Sequence, residues 1–415
     1  MRFNSVQIAL WFCVLSSFGY PLQSAFALLF GLDSGIVNIL SRGLYAGVFM
    51  LLFILKLNSF RRPKSWLIAT VIFFVIYIIR LSIDIIFKNI SFSSRPDYFV
   101  FAMTIANGLL PILAISLYLR EIDVKKLKSK IHLVLTITVT LLLLLIGIQY
   151  GFAIFGQFNT RIQLSGTTDA TEGEFVINSI LIGIYGSALA VSSLFNILIL
   201  RYKWHYVMTF GFGLIAVLIA GSRGPVLNLL ICSVFVIFYY IKKNKYKIHK
   251  IFFFIIFAFL GFIALVTLYY DNLIQTKTFI RITESIDNRK MDKKEARDFE
   301  WESAWNQFQD SPFIGDSYLN KFDNFYPHNF FLEVLMATGI IGLIPILFLF
   351  YSIYKHIKFN FSRENDFNVL ISILCFLLFI TTMTSGGIFT ISYFWSCLPL
   401  FFLNYHSSKT VITNF

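Results

Sequence analysis

Six histidines occur in the chain, and five of them (His132, His205, His249, His356 and His406) lie near lysines or arginines. His328 is set apart: Pro327 precedes it, and a long apolar run opens at Asn329. Proline there favours a helix start. An imidazole at a helix N-terminus lies at the positive end of the dipole, which favours its neutral form. That is the form a general base must have at working pH. Gly339 and Gly342 follow at intervals of eleven and three residues. At 100° per residue all three fall within roughly 60° of one another on a helix. Glycines on that face would admit a neighbouring helix and aim the histidine into the crevice between the two. Glu333 falls on a different face and is not expected to orient the imidazole directly. The competing reading is a helix-start histidine beside unrelated packing glycines.

Arg223 is the second candidate, in the turn Gly221-Ser222-Arg223-Gly224-Pro225. The glycines permit a tight turn and Pro225 suits a helix start. A fixed guanidinium here could fork a phosphate group, or it could snorkel to the membrane interface. Arg80 and Asp84 form an i,i+4 pair inside an apolar run, where ionisable residues are functional candidates; a self-contained structural ion pair fits equally well. Asp298, Glu300 and Glu302 alternate along one stretch. On a helix such residues do not share a face, so they make a poor metal cage, and no cofactor is expected. Cys13, Cys232, Cys375 and Cys397 are scattered through apolar runs and read as packing residues.

These residues must be positioned by membrane-spanning helices. The chain is 57% hydrophobic, 14% charged and has a mean hydropathy of +0.74, far above the soluble range. About 20 apolar residues make a span. Continuous runs of this kind cover 6–30, 37–55, 66–87, 98–119, 131–155, 175–200, 205–220, 225–241, 251–270, 329–354, 367–384 and 388–405. The expectation is an all-α polytopic membrane protein, residues 1–415 forming a single transmembrane domain of about 12 helices. Residues 8–18 resemble a signal peptide, but the next span follows closely and the first helix is read as retained.

Charge placement tests the count. With the N-terminus inside, the even-numbered loops should be basic. They carry Lys56, Arg61, Arg62 and Lys64; Arg120, Lys125, Lys126, Lys128 and Lys130; Arg201 and Lys203; Lys242, Lys243, Lys245, Lys247 and Lys250; and Lys355, Lys358 and Arg363. The short odd-numbered loops hold only Arg42, Lys88, Arg95, Arg161 and Arg223. The net charge of +13 is thus a topology signal at the inner leaflet and gives no support to nucleic-acid binding.

One polar segment remains, residues 271–327, placed outside by this topology as a large loop between spans 9 and 10. It holds eight Lys/Arg and eleven Asp/Glu. Residues 291–310 read as a helix ended by Pro312, with Arg297, Trp301, Ala304, Trp305 and Phe308 on one stripe. Two tryptophans on such a stripe suggest a helix lying in the outer interface; a lid with no chemistry is the alternative.

Taken together, the motifs resemble the O-antigen polymerase and O-antigen ligase superfamily. His328-Asn329 followed by Gly339-x-x-Gly342, the Ser222-Arg223-Gly224 turn, and Arg297-x-x-x-Trp301 with Pro312-x-x-Gly315 carry the resemblance over roughly residues 205–355. Asp316 stands where Gly-x-Gly is expected, and residues in spans 1–6 carry no alignable motif. The resemblance implies a GT-C-like glycosyltransferase in the bacterial inner membrane, its active site facing the periplasm. It implies undecaprenyl-diphosphate-linked oligosaccharide as donor, no metal, and a chain-length regulator as a further partner beside the bilayer. Arg223 and Arg297 would hold the diphosphate, His328 would deprotonate the acceptor hydroxyl, and Asn329 would contact substrate; Arg80, outside the stretch the resemblance covers, is a further candidate substrate contact from its place within a span. A polymerase is favoured over a ligase or related O-oligosaccharyltransferase. A lipid-linked oligosaccharide flippase is the alternative of another class, but it should line a cavity with charge and need no long outer loop.

Overall fold

The computed structural model describes residues 4–59, 64–92, 97–156, 162, 164, 177–200, 202–244, 280, 283, 284, 287, 294 and 296–403. Among them the chain is all-helical, with only isolated bridges outside helices. The helices are α1 (Ser5–Phe18), α2 (Leu22–Leu29), α3 (Ser34–Leu55), α4 (Ser65–Ser82), α5 (Asp97–Ala102), α6 (Leu110–Tyr118) and α7 (Val124–Tyr150). There follow α8 (Ser179–Phe195), α9 (Trp204–Ile219), α10 (Arg223–Lys243), α11 (Ala296–Asp310), α12 (Phe330–Ser362), α13 (Asp366–Thr382) and α14 (Ser392–Cys397). Side-chain caps set several starts: Asp33, Asp123, Asn178 and Asn329 each accept from a backbone N–H in the first turn.

Seven helical stretches among the described residues are long and apolar enough to cross a membrane, or eight if α1 and α2 count as one broken span. α1 and α2 bend by 76° at Gly19–Pro21, so the expected span 6–30 is not straight. α9 and α13 are apolar but shorter, at 16 and 17 residues. The expected span 251–270 lies outside the described residues. The expected span 388–405 is corrected: α14 has six residues and passes directly into a 3₁₀ segment, Leu398–Phe402, whose Pro399 lies at its start.

α8 forms the centre. It is rich in Gly, Ser and Ala, its side chains are buried from Ile182 to its end, and α9 and α10 lie against it. Small residues are what let helices approach closely in a membrane. A Cβ on Gly186 would meet Ala216 Cβ at 2.8 Å and the Gly213 carbonyl at 2.9 Å. All four cysteines are buried and free, as packing residues should be.

α12 departs most from expectation. It runs for 33 residues but is broken at Gly339, where φ is 60° and ψ is −158°. An unbroken helix would satisfy its own N–H and C=O groups; the break frees several. The loop after α11 takes them up. Ile340 and Ile341 N–H donate to the carbonyls of Pro312 and Phe313 at 2.9 and 3.1 Å, and Asp316 N–H donates to Met336 O at 2.9 Å. A Cβ on Gly339 would lie 2.5 Å from the Phe313 carbonyl, and one on Gly315 would lie 2.4 Å from that of Ala337. The glycines therefore admit a loop, where a packed helix was expected. Gly342 faces Thr338 of its own helix, whose Oγ1 a Cβ would meet.

Candidate functional site

His328 is placed by what surrounds it. It precedes the cap residue Asn329 and has a positive φ of 52°, so it stands outside α12. The helical-wheel argument linking it to Gly339 and Gly342 consequently fails. Its ring instead lies 4.8 Å from that of Tyr326, edge-on, and 5.6 Å from that of Phe325. Its Nδ1 is buried without a hydrogen-bond partner among the described residues. Burial, and then the charge of Arg297, push the imidazole down to about 4. Burial and the guanidinium thus favour the neutral form, the one expected from the helix dipole.

Arg297 lies in the first turn of α11 and its charge acts on two neighbours. It lowers His328, and it opposes the upward push that burial and Asp323 exert on the Glu300 carboxyl. α11 is held beside His328 by Trp301, whose indole N–H donates to Pro327 O at 2.9 Å. The expected stripe is only partly the buried one: Ala304 and Gln307 are buried, while Trp305 remains 44% exposed. Asn329 Oδ1 accepts from Leu332 N–H at 3.2 Å, so part of this side chain is committed to capping α12.

Arg223 opens α10 after Gly221, which adopts a φ of 56°. α8 fixes this end of α10. Ser187 Oγ donates to Pro225 O at 2.8 Å, and the Pro225 ring fills the space that a Cβ on Gly183 would need.

The turn after α13 joins these two regions, and no sequence motif marked it. A Cβ on Gly224 would meet Thr384 Oγ1 at 3.1 Å, and one on Gly387 would meet the Tyr326 ring at 2.6 Å. One short segment thus touches the neighbour of Arg223 and the neighbour but one of His328. Glu333 anchors it. This buried carboxylate accepts Ile388 N–H with both oxygens at 3.0 Å and accepts from Tyr77 OH at 3.4 Å. The hydrogen bonds of Glu333 go to Ile388 and Tyr77, and through Ile388 it holds the turn that covers Tyr326. A lone acidic residue in an apolar run was the available signal.

Arg80 serves a different purpose. Its guanidinium donates to Asp84 Oδ1 at 3.3 Å and to the carbonyls of Ile314, Gly315 and Asp316 at 2.6, 2.8 and 3.0 Å. Asp84 in turn accepts Tyr318 N–H at 2.8 Å. The i,i+4 pair is real, but its other contacts are the loop backbone. Arg80 is a clamp on that loop.

The fold and site describe a multi-pass membrane protein in which Arg297 acts on His328 and the turn after α13 reaches from the residue next to Arg223 to Tyr326. Residues 208–347 match the family model described as O-antigen ligase, a stretch containing Arg223, Arg297 and His328. The match supports the O-antigen polymerase and ligase superfamily for this chain. Comparison with curated proteins gives no match.

Proposed function

We propose that the protein is a polysaccharide repeat-unit polymerase. It transfers the glycan of an undecaprenyl-diphosphate-linked oligosaccharide to an acceptor sugar hydroxyl at the periplasmic face of the inner membrane. In this reading residues 1–415 are one transmembrane domain, with 271–327 as its large periplasmic loop. The observation that carries the chemistry is the half-buried His328, whose Nδ1 is buried without a partner among the described residues and whose pKa is lowered by burial and Arg297.

The imidazole takes the proton of the acceptor hydroxyl. The resulting oxygen nucleophile bonds to the anomeric carbon, and the bond from that carbon to the diphosphate oxygen breaks. Lipid diphosphate leaves with the electron pair. Arg223 and Arg297 stabilise the charge that grows on it, and the N-terminal end of α12 adds its dipole. Two guanidiniums supply the positive charge this step needs, so the reading invokes no metal. Asn329 is the remaining substrate contact proposed.

A ligase would use the same donor residues, and the acceptor separates the two. The aromatic side chains Phe299, Trp305 and Phe322 are exposed on and beside α11. They suit an acceptor kept at the interface by its own lipid better than a phosphorylated core, for which a positive cluster would be expected. Deleting the gene should leave lipopolysaccharide with core plus a single repeat unit. Bare core together with accumulated long lipid-linked polymer would instead identify a ligase.

A further inference from the structure

We infer that the segment Pro312–Asp316 is a re-entrant loop whose tip, Phe313 and Ile314, lies in the outer half of the hydrocarbon layer against lipid acyl chains. The inference rests on the chain's being a membrane protein and is independent of the proposed reaction.

Depth comes from the two helices that hold the loop. It docks at Gly339, nine residues into α12 and so about 13 Å along its axis. It is clamped by Arg80, seven residues before the end of the apolar stretch Ser65–Phe87, or about 10 Å inside it. Lipid-facing side chains flank both points: Ile79, Ile83 and Ile86 on one helix, Ile340, Ile341 and Ile344 on the other, all exposed. Phe313 and Ile314 are 68% and 62% exposed and continue that apolar band. Water would be a poor partner for such a surface, whereas acyl chains match it.

Backbone bonding points the same way. Irregular backbone survives at membrane depth only where its polar groups are satisfied within the protein. Every carbonyl from Pro312 to Asp316 accepts a hydrogen bond: two from the broken turn of α12, and the rest from Arg80, with Ser311 Oγ and Lys88 adding to Gly315 and Asp316; the N–H groups of Gly315 and Asp316 donate to Ser311 O and Met336 O, which leaves those of Phe313 and Ile314 without a bond among the described residues. A loop in water would not need this. The charges begin immediately beyond the tip, where Lys88 and Lys321 meet Asp316, as expected for side chains reaching the headgroups.

The full chain, reconstituted in phosphatidylcholine vesicles, tests this with a bimane label at Ile314→Cys. The four native cysteines are buried, so the label is site-selective. Asn306→Cys on α11 is the aqueous reference and Ile344→Cys the lipid reference. Lipids brominated on the acyl chain should quench the Ile314→Cys label as strongly as the Ile344→Cys label, and aqueous iodide should leave both largely unquenched. Iodide quenching equal to that at Asn306→Cys would overturn the inference. Phe313→Cys provides a second reading of the same tip should the first variant fail to assemble.

Discussion

The indole N–H of Trp301 donates to the carbonyl of Pro327 at 2.9 Å, so a residue of α11 holds the peptide that leads into His328. Replacing the indole by a benzene ring keeps an aromatic side chain, removes the donor and gives up part of the packing volume. Trp301→Phe is predicted to loosen the segment by about 0.5–1.5 kcal/mol, the net worth of one such bond. Hydrogen exchange of the amides around 325–329 should quicken, and polymer yield should fall at constant protein level. Unchanged exchange would mean that the bond does not restrain the site.

Removal of the proposed base gives the most direct test of the chemistry. His328→Ala should reduce polymer formation by roughly 10²–10⁴-fold, the usual contribution of a general base. His205→Ala and His356→Ala should be near neutral. Arg223→Lys should also be poor, because an ammonium lacks the planar fork. Polymer ladders from a complemented deletion strain, normalised to membrane protein level, make the comparison; near-normal ladders from His328→Ala would remove the base from the mechanism.

A base acts only when unprotonated, which fixes the sign of the pH effect. Burial and Arg297 hold His328 at about 4, so the rate limited by this group should rise through that pH and be flat above it. Arg297→Gln removes one of the two depressing causes and lets the value move back toward the ordinary 6.5 or so. The acid limb of the pH–rate profile should therefore shift to higher pH. The limb's position is the readout, since the variant also weakens donor binding. A limb that stays in place would show that the guanidinium does not act on the imidazole.

Contact between the Gly224 turn and the segment after α13 can be measured without any activity. A Cβ on Gly224 would stand 3.8 Å from Thr384 Cβ, close to the mean separation in disulfides, about 3.8 Å. The double variant Gly224→Cys with Thr384→Cys should cross-link in membranes under mild oxidation, detectable as a linked peptide by mass spectrometry. Free thiols at both positions after oxidation would place the two segments apart.

How far the sequence could reach is clearest at α12. The His328-Asn329 pair, the glycines and the long apolar run are all legible, and they locate the region correctly. Their geometry is not, because a helical wheel presumes an unbroken helix and Gly339 breaks it. A glycine serves equally well as a packing surface or a kink, and only the partner backbone of Pro312–Asp316 decides between them. Arg80 and Asp84 teach the same lesson: the i,i+4 spacing shows the pair, while its carbonyl partners are more than 230 residues away. Glu333 shows a third limit, since its ligand is the Ile388 N–H and no side-chain pattern encodes a backbone donor. Residues 388–405 have the composition of a span, and composition does not register that Pro399 leaves too few residues for one helix.

The clamp on the loop has a consequence for biogenesis. Arg80 and the carbonyl of Ile314 are separated by 234 residues. At a synthesis rate of about 5–20 residues per second, some 10–50 s pass between the two leaving the ribosome. During that interval α4 must reside in the bilayer with a guanidinium whose final ligands do not yet exist. Asp84, one turn further on, is made almost at the same moment and supplies an opposite charge at once. Until the loop is made, Asp84 is the partner the sequence places within reach of the arginine; in the folded chain its other oxygen accepts the amide of Tyr318.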